Sequence, residues 1–169
     1  MKNSQILIFT DLDGSLLNHN NFEFREIKNF ILNCIKNGIK IIPNTSKTKS
    51  EIEVFLDQLG QNLPFVVENG AAIHNLDLVH RKLRFKNNSL VFSRSVNEIL
   101  ELFEKRIPIE LKKRCSFLKD MSSIEQMKIL GLNKKYLPFA LNREYSMPLV
   151  FDCLIYTSPS PRDSSQSRM

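Results

Sequence analysis

The 169-residue sequence predicts an α/β fold in which a parallel sheet and its helices are followed by a smaller α+β unit. Short apolar runs alternate with helical patterns along residues 6–67, and this order predicts parallel strands joined by right-handed crossovers. Polar clusters follow the apolar runs, at the edge of a parallel sheet where ligands bind. The hydrophobic fraction of 42% and the charged fraction of 25% are ordinary for one globular domain, or for one domain with a partial second.

The first predicted strand covers residues 6–9 and is followed by two carboxylates, Asp11 and Asp13, and then by Gly14. Alternate residues of an extended strand point to the same side, so both carboxylates are predicted to share one face. Two anions so close together repel each other, and a bound divalent cation removes that conflict. Mg²⁺ prefers carboxylate oxygens, water and substrate phosphate as ligands. Gly14 allows the sharp turn that lets backbone N–H groups face an anion.

Two other interpretations of this Asp-x-Asp-Gly segment are a surface turn and an EF-hand loop. Asp and Gly are common in turns, so a surface turn is compatible with the residue types. An EF-hand loop has Gly at its sixth position, whereas Gly14 would be fourth, and a strand rather than a helix precedes it. The apolar residues on both sides, including Leu16 and Leu17, favour the end of a catalytic strand.

Helix and strand patterns then alternate up to residue 67. The predicted elements are a helix over residues 22–37, a strand over 39–42, a helix that begins at the capping box of residues 48–51, and a strand over 64–67. Gly38 and Gly60 stand where the two helices end. The predicted buried positions are Ile27, Phe30, Ile31, Cys34 and Ile35 in the first helix, and Ile52, Phe55, Leu56 and Leu59 in the second.

From residue 71 onward the pattern becomes that of a smaller α+β unit. Its predicted elements are a strand over residues 71–75, a loop or hairpin over 78–92, a helix capped by Ser95, helices over 123–130 and 134–142, and a strand over 148–151. In the chain before this unit, Asp11, Thr45 and Asn69 each follow one of the three predicted parallel strands. Their common position at the strand ends predicts one site.

Charge and cysteine content limit the classes of partner. The net charge of +6 comes from scattered residues, the densest cluster being Lys112 to Arg114, and no basic motif contains interleaved aromatic residues. We therefore expect a small anionic substrate and no nucleic acid. The three cysteines are far apart, which fits the cytoplasm. No apolar stretch is long enough for a membrane span or for the core of a signal peptide, so no membrane partner is expected.

Residues 153–169 differ in composition from the rest of the chain. The segment is rich in Ser, Pro and Arg and has no apolar face. One interpretation is a natural disordered tail. The segment also resembles the translated read-through of a sequencing adaptor, and this second interpretation, a non-native tail, is the one we favour.

The segment from Asp11 to Ser15 resembles the first motif of the haloacid dehalogenase superfamily, Asp-x-Asp-Gly-Thr/Ser at the end of a strand. Thr45 occupies the place of that superfamily's second motif. Within the superfamily, several strings are similar to the mannosyl-3-phosphoglycerate phosphatase family: residues 44–48, 64–73, 114–117, 120–122 and 142–149. The resemblance covers residues 5–152.

This resemblance implies an incomplete Rossmann-like core with a partial α+β cap. Residues 1–82 are expected to form the N-terminal part of the phosphatase core, and residues 83–152 part of the cap. The third motif of the superfamily, a Lys, and the fourth, Gly-Asp-x-x-x-Asp, have no match after Asp152. We therefore expect the chain to be the front part of a longer phosphoric monoester hydrolase, and to be inactive and poorly soluble by itself.

The implied activity is the Mg²⁺-dependent removal of phosphate from mannosyl-3-phosphoglycerate, which gives mannosylglycerate. By this resemblance Asp11 is the nucleophile that forms an aspartyl-phosphate, and Asp13 is the acid and base. The further implied roles are Mg²⁺ binding by Asp11 and Asp13, phosphate binding by Thr45, Ser46 and Lys47, and substrate binding by Asn69, Gly70, Arg143 and Glu144.

Several alternatives stay open at this point. Lys47 is equally compatible with a surface lysine, and Arg143 with an exposed ion pair. The substrate is alternatively another sugar phosphate, such as sucrose phosphate or a hexose phosphate. A different class of function is a catalytically incompetent fragment that only binds Mg²⁺ and phosphate. The sequence predicts no particular oligomeric state.

Overall fold

The computed structural model describes residues 6–18, 24–79 and 85–152. The strands are β1 (Leu7–Thr10), β2 (Lys40–Pro43), β3 (Phe65–Val67), β4 (Ala72–His74), β5 (Ser89–Val91), β6 (Cys115–Phe117) and β7 (Leu149–Phe151). The helices are α1 (Arg25–Lys36), α2 (Lys49–Leu59), α3 (Val96–Arg106), α4 (Ile109–Lys112), α5 (Ser123–Leu130) and α6 (Leu137–Leu141). Single turns of 3₁₀ helix lie at Leu76–Leu78, Lys86–Asn88 and Leu118–Asp120. The α/β class predicted from the sequence is confirmed.

Strands β1 and β2 form a parallel pair that runs from Leu7 opposite Lys40 to Thr10 opposite Pro43. Helix α1 makes the crossover between them, as the alternating pattern predicted. The third predicted parallel partner, β3, joins this pair only through one parallel bridge among the described residues, Asn44 to Val66. The main partner of β3 is instead β4, which is antiparallel to it, so the predicted parallel pairing of β3 is limited to that bridge.

The short connection from β3 to β4 explains this antiparallel pairing. Glu68, Asn69 and Gly70 adopt left-handed backbone angles, with φ of 48°, 61° and 91°. Such a turn reverses the chain within a few residues, which brings β4 back along β3. Strand β5 then pairs antiparallel with β4. Of the predicted loop or hairpin over residues 78–92, the described part contains one strand, β5, whose partner β4 lies outside that range.

Helix α2 begins and ends where the sequence predicted. Thr48 accepts a hydrogen bond from the Glu51 N–H, Glu51 accepts one from the Thr48 N–H, and Gly60 ends the helix in the left-handed region with φ of 75°. All four predicted apolar positions of this helix are buried. Helix α1 differs from the prediction at one position: Ile31 and Cys34 are buried, but Phe30 is 70% exposed.

The main hydrophobic core lies between the β1–β2 pair, α1, α2 and β3. Its largest fully buried side chains include Leu12, Ile31, Ile52, Leu59 and Phe65. At about 25 cal/mol per Å² of buried apolar surface, each contributes roughly 1.5–3 kcal/mol to the free energy of unfolding. Leu12, between the two acidic residues, therefore fixes the start of the site to the core.

The later elements are less buried. No residue of α3 or α4 is buried, and Leu149, Val150 and Phe151 of β7 are exposed. Strands β6 and β7 form an antiparallel pair. Helix α6 contacts α2, where the Thr48 hydroxyl donates to the Phe139 carbonyl at 2.7 Å. The division of the chain at residues 82 and 83 stays a prediction.

Within residues 6–18, 24–79 and 85–152, no helix has the length and apolar character needed to cross a bilayer. The segment of residues 153–169 lies outside the described residues.

Candidate active site

The predicted site residues follow β1, β2 and β3, and the backbone brings these strand ends together. The Asn44 N–H donates to the Thr10 carbonyl at 2.8 Å, which extends the β1–β2 ladder by one residue. Thr45 N–H donates to the Val66 carbonyl at 3.1 Å and so connects the end of β2 to β3. The segment after β1 therefore lies beside the segment after β2, as expected for parallel strands.

Asp11 lies at the end of β1 and its side chain is exposed. One carboxylate oxygen, Oδ1, accepts a hydrogen bond from the Leu12 N–H at 2.7 Å. The chain then turns, because Gly14 adopts φ of 72° and donates its N–H to the Leu17 carbonyl at 2.8 Å. A left-handed residue is easily formed by glycine, which explains why this turn can follow the acidic pair directly.

Asp13 contacts the predicted phosphate-binding loop. Its Oδ2 lies 3.2 Å from Nζ of Lys47, and the same Nζ lies 3.5 Å from Oε1 of Glu51. Asp13 Oδ1 is buried and has no hydrogen-bond partner within the described ranges. The Lys47 side chain is only 14% exposed and contacts these two carboxylates. A cation of this kind is suited to a phosphate group.

Residues 45–48 form the loop between β2 and α2. Thr45 is buried, and its hydroxyl oxygen accepts a hydrogen bond from the Lys47 N–H at 3.2 Å. The Thr45 carbonyl accepts from the Asn69 N–H at 3.1 Å. Ser46 is exposed, at the outer side of the loop. The hydroxyl of Thr45 therefore supports the loop from within, and Ser46 lies at its exposed surface.

The turn after β3 completes the cluster at the strand ends. The Glu68 N–H donates to the Lys47 carbonyl at 3.0 Å, so the turn is bonded to the 45–48 loop. Asn69 and Gly70 are exposed beside that loop. The predicted phosphate-binding and substrate-binding segments are thus neighbours.

Arg143 and Glu144 reach the same region from the later part of the chain. Arg143 Nη1 donates to the Ser146 hydroxyl at 2.8 Å and makes a long contact of 3.5 Å with the Ser46 carbonyl. Its Nε is buried and without a partner among the residues that the structure describes. Glu144 contributes its N–H, which donates to Glu68, while its side chain is exposed. The alternative of an ion pair between Arg143 and a neighbour has no counterpart in the described contacts.

Glu68 is a residue of this region to which the sequence analysis gave no role. It is a carboxylate with 4% exposure, and it accepts hydrogen bonds from Glu144 N–H, Tyr145 N–H and the Ser146 hydroxyl. The sequence did offer a signal: Glu68 directly follows three apolar strand residues and precedes the turn formers Asn69 and Gly70. An acidic residue at the end of such a buried strand is unusual unless its charge has partners.

Tyr145 adds an apolar ring to the segment that Glu68 contacts. Loss of water around its hydroxyl, together with a hydrogen bond to Glu144 and the negative charges of Glu144 and Glu68, raises the pKa of Tyr145 to about 12. The phenol therefore stays neutral at physiological pH, and its ring packs against the main core.

The family motif implies a magnesium ion, and two carboxylates are available for one. Asp11 and Asp13 offer oxygen ligands, and the buried, unpartnered Oδ1 of Asp13 is the type of atom that a cation satisfies. Mg²⁺ is commonly bound through one or two carboxylates together with water and substrate phosphate. No group of three or more His, Cys, Asp or Glu side chains is arranged for a metal in the described part of the chain. The residues thus fit a magnesium ion that retains several other ligands.

Comparison with known proteins identifies the family. The sequence model of the haloacid dehalogenase-like hydrolases matches residues 8–136, from the first strand to the region before α6. The chain belongs to the haloacid dehalogenase-like hydrolase family. The superfamily resemblance predicted from the segment Asp11 to Ser15 is therefore confirmed.

Two relatives of this haloacid dehalogenase-like chain are named phosphoglycerate phosphatases. It is 31% identical over 153 residues to the glucosyl-3-phosphoglycerate/mannosyl-3-phosphoglycerate phosphatase of Persephonella marina, covering 87% of this chain and 55% of that protein. It is 30% identical over 145 residues to the mannosyl-3-phosphoglycerate phosphatase of Pyrococcus furiosus, covering 83% of this chain and 58% of that protein. The predicted resemblance to the mannosyl-3-phosphoglycerate phosphatases is confirmed, and the chain spans about half the length of these relatives.

A solved structure agrees on the fold. A hypothetical protein from Geobacillus kaustophilus superposes with a TM-score of 0.52 over 84% of this haloacid dehalogenase-like chain and 56% of that chain, at 19% identity. At this identity the likeness concerns the fold alone.

Proposed function

We propose that the protein to which these residues belong is a Mg²⁺-dependent phosphatase that converts mannosyl-3-phosphoglycerate into mannosylglycerate and phosphate. The observation that carries this proposal is the contact of Asp13 with Lys47, which joins the predicted acid/base to the predicted phosphate-binding loop. The names of the relatives at 30–31% identity support the choice of substrate.

In the proposed reaction, a carboxylate oxygen of Asp11 attacks the phosphorus atom of the substrate. The bond between phosphorus and the glycerate oxygen breaks, and Asp13 donates a proton to that leaving oxygen. The Asp13 carboxylate then removes a proton from water, whose oxygen attacks the phosphorus of the aspartyl-phosphate. This second step releases inorganic phosphate and regenerates the Asp11 carboxylate.

Charge compensation in this reaction is assigned to the loop after β2 and to the metal. Lys47, with the N–H groups of its loop, would neutralise phosphate oxygens during both steps. A magnesium ion on Asp11 and Asp13 would supply further positive charge at the phosphate. Arg143 is proposed to bind the carboxylate of the glycerate, because its planar fork forms two parallel hydrogen bonds with such a group. Asn69, Gly70 and Glu144 are proposed to line the sugar side.

Two other functions are separated from this one by the same assay. In the first, the substrate is another sugar phosphate. In the second, the protein binds Mg²⁺ and phosphate without turnover.

The experiment measures phosphate release by the purified protein to which these residues belong. The substrates are mannosyl-3-phosphoglycerate, glucosyl-3-phosphoglycerate, sucrose 6-phosphate and glucose 6-phosphate, each with Mg²⁺ and with excess EDTA. We expect release from the glycerate esters, lost in EDTA. If the protein preferred a substrate without a carboxylate, the proposed substrate would be wrong. If it bound phosphate but released none from any substrate, the non-catalytic alternative would be favoured.

A further inference from the structure

Glu68 is the side chain through which the end of β3 contacts residues 144–146. Its Oε1 accepts the Glu144 N–H at 2.9 Å, and its Oε2 accepts the Tyr145 N–H at 3.1 Å and the Ser146 hydroxyl. These partners are 76 to 78 residues away in the sequence. One carboxylate therefore connects two distant parts of the chain.

Burial of the Glu68 carboxylate is energetically unfavourable unless these hydrogen bonds are made. The side chain is 4% exposed, and a buried carboxylate without hydrogen-bond donors is strongly unfavourable. Its backbone also adopts φ of 48°, a left-handed conformation that non-glycine residues seldom take. Both features are expected where the surrounding structure specifies one orientation of a functional residue.

The contacts of Glu68 continue to Arg143 and return to the predicted phosphate-binding loop. The Ser146 hydroxyl donates to Glu68 and accepts from Arg143 Nη1 at 2.8 Å. The same Nη1 lies 3.5 Å from the Ser46 carbonyl. On its other side, the Glu68 N–H donates to the Lys47 carbonyl at 3.0 Å. The five residues thus form a closed ring of contacts around the edge of the site.

We propose that Glu68 is a positioning residue that orients Arg143, through the Ser146 hydroxyl, beside the phosphate-binding loop so that its guanidinium meets the carboxylate of the substrate. This inference rests on the proposed function. Glu68 itself binds no ligand in this proposal, because both of its oxygens already accept hydrogen bonds from residues 144–146. It selects substrates that carry a carboxylate next to the phosphate ester, rather than phosphate esters in general.

The experiment compares Glu68→Gln and Ser146→Ala with a matched control, Glu53→Gln, whose carboxylate lies on the surface of α2 and 3.8 Å from Lys49. The amide introduced by Glu68→Gln has one accepting oxygen where the carboxylate has two, so hydrogen bonds to residues 144–146 are lost. Ser146→Ala removes only the link to Arg143 and leaves both backbone contacts in place. Ser146→Thr keeps the hydroxyl and serves as the conservative rescue.

Two measurements are made on each variant. Amide hydrogen exchange at Glu144 and Tyr145 reports whether Glu68 fixes this segment. Calorimetry with mannosyl-3-phosphoglycerate and, separately, inorganic phosphate, both in excess EDTA, where no turnover is expected, reports ligand selectivity. We expect Glu68→Gln to accelerate exchange at the Tyr145 amide and to weaken binding of the glycerate ester about tenfold, the usual effect of losing a hydrogen bond to a charged group. Binding of inorganic phosphate should stay within about twofold.

The variants separate positioning from general stability. Ser146→Ala should weaken binding of the glycerate ester without changing amide exchange at Glu144. Ser146→Thr should restore that binding. The proposal would be overturned if Glu68→Gln left amide exchange unchanged, or if it weakened binding of both ligands equally. If the unaltered protein bound inorganic phosphate but not the glycerate ester, the proposed substrate would be wrong, while the exchange data would still decide whether Glu68 fixes residues 144–146.

Discussion

The ammonium group of Lys47 lies 3.2 Å from the carboxylate of Asp13, across the gap between the loops that follow β1 and β2. Glu51, one helical turn further on, lies 3.5 Å from the same nitrogen. Lys47 therefore sits between two carboxylates, one of which is the proposed acid/base. The contact brings a positive charge from the loop after β2 directly to the second member of the acidic pair.

Replacement of Lys47 by Met should weaken the binding of inorganic phosphate in the presence of Mg²⁺. The substitution removes a largely buried positive charge beside Asp13, and we expect a loss of about tenfold or more in affinity. Lys49→Met is the matched control, because Lys49 is more exposed and pairs only loosely, at 3.8 Å, with Glu53. Calorimetric titration measures both, and equal affinities in the two variants would refute a role for Lys47 at the phosphate.

Asp11→Asn should abolish phosphate release and leave the fold intact. An amide cannot act as the nucleophile, so we expect a loss of at least roughly 10³-fold, comparable with other losses of an essential group. Asp11 is exposed and bonds only with neighbouring backbone in the described contacts, so the midpoint of thermal unfolding should not change. Substantial release by Asp11→Asn would contradict its role. Asp57→Asn, on the exposed surface of α2, is the control.

Acidification should destabilise the fold through His74. Burial and the positive charge of Lys49 lower the pKa of this histidine below 6.5, against a smaller opposing effect of Glu144. The unfolded chain then binds a proton that the folded chain resists, so His74 makes its full contribution to stability above about pH 6.5 and loses it as the pH falls. Urea unfolding between pH 7 and pH 5 should show a steeper loss for the natural chain than for His74→Asn. Parallel curves would exclude His74 as the cause.

Thr48→Ala should cost more stability than the corresponding change at another capping box. Thr48 caps α2 and also donates to the Phe139 carbonyl, so its loss should lower the free energy of unfolding by about 2 kcal/mol. Ser95 caps α3 in the same way but is exposed, and Ser95→Ala should cost about 1 kcal/mol or less. Urea unfolding measures both. A smaller effect at Thr48 would show that the contact between α2 and α6 contributes little.

The open edge of β1 should promote self-association. Among the described residues β1 pairs only with β2, and apolar side chains are exposed there, with Phe9 of β1 at 63% and Ile6, just before the strand, at 56%. An apolar edge strand with unpaired backbone groups is a template for intermolecular pairing. Ile6→Lys should therefore reduce light scattering on concentration. Phe30→Lys is the control, because it removes a 70% exposed apolar side chain from a helix rather than from a strand edge. An equal reduction of light scattering in that variant would indicate hydrophobic association without strand pairing.

Local signals allowed much of the fold to be predicted. The capping box of Thr48 and Glu51, the left-handed Gly60 and the apolar spacing of α2 all act within a few residues, so their structure follows from the sequence directly. The prediction that Phe30 is buried was wrong, because helical spacing indicates a face but not its width or how much of it other elements cover.

The sequence by itself determined the position of the acidic pair after β1, the loop after β2 and the family of the chain, because each depends on short strings of residues. Only the tertiary structure decided that β3 pairs mainly with β4, that Lys47 contacts Asp13, and that Glu68 accepts hydrogen bonds from residues 144–146. Contacts between residues up to 78 positions apart depend on how the elements pack together, and local periodicity carries no information about that packing.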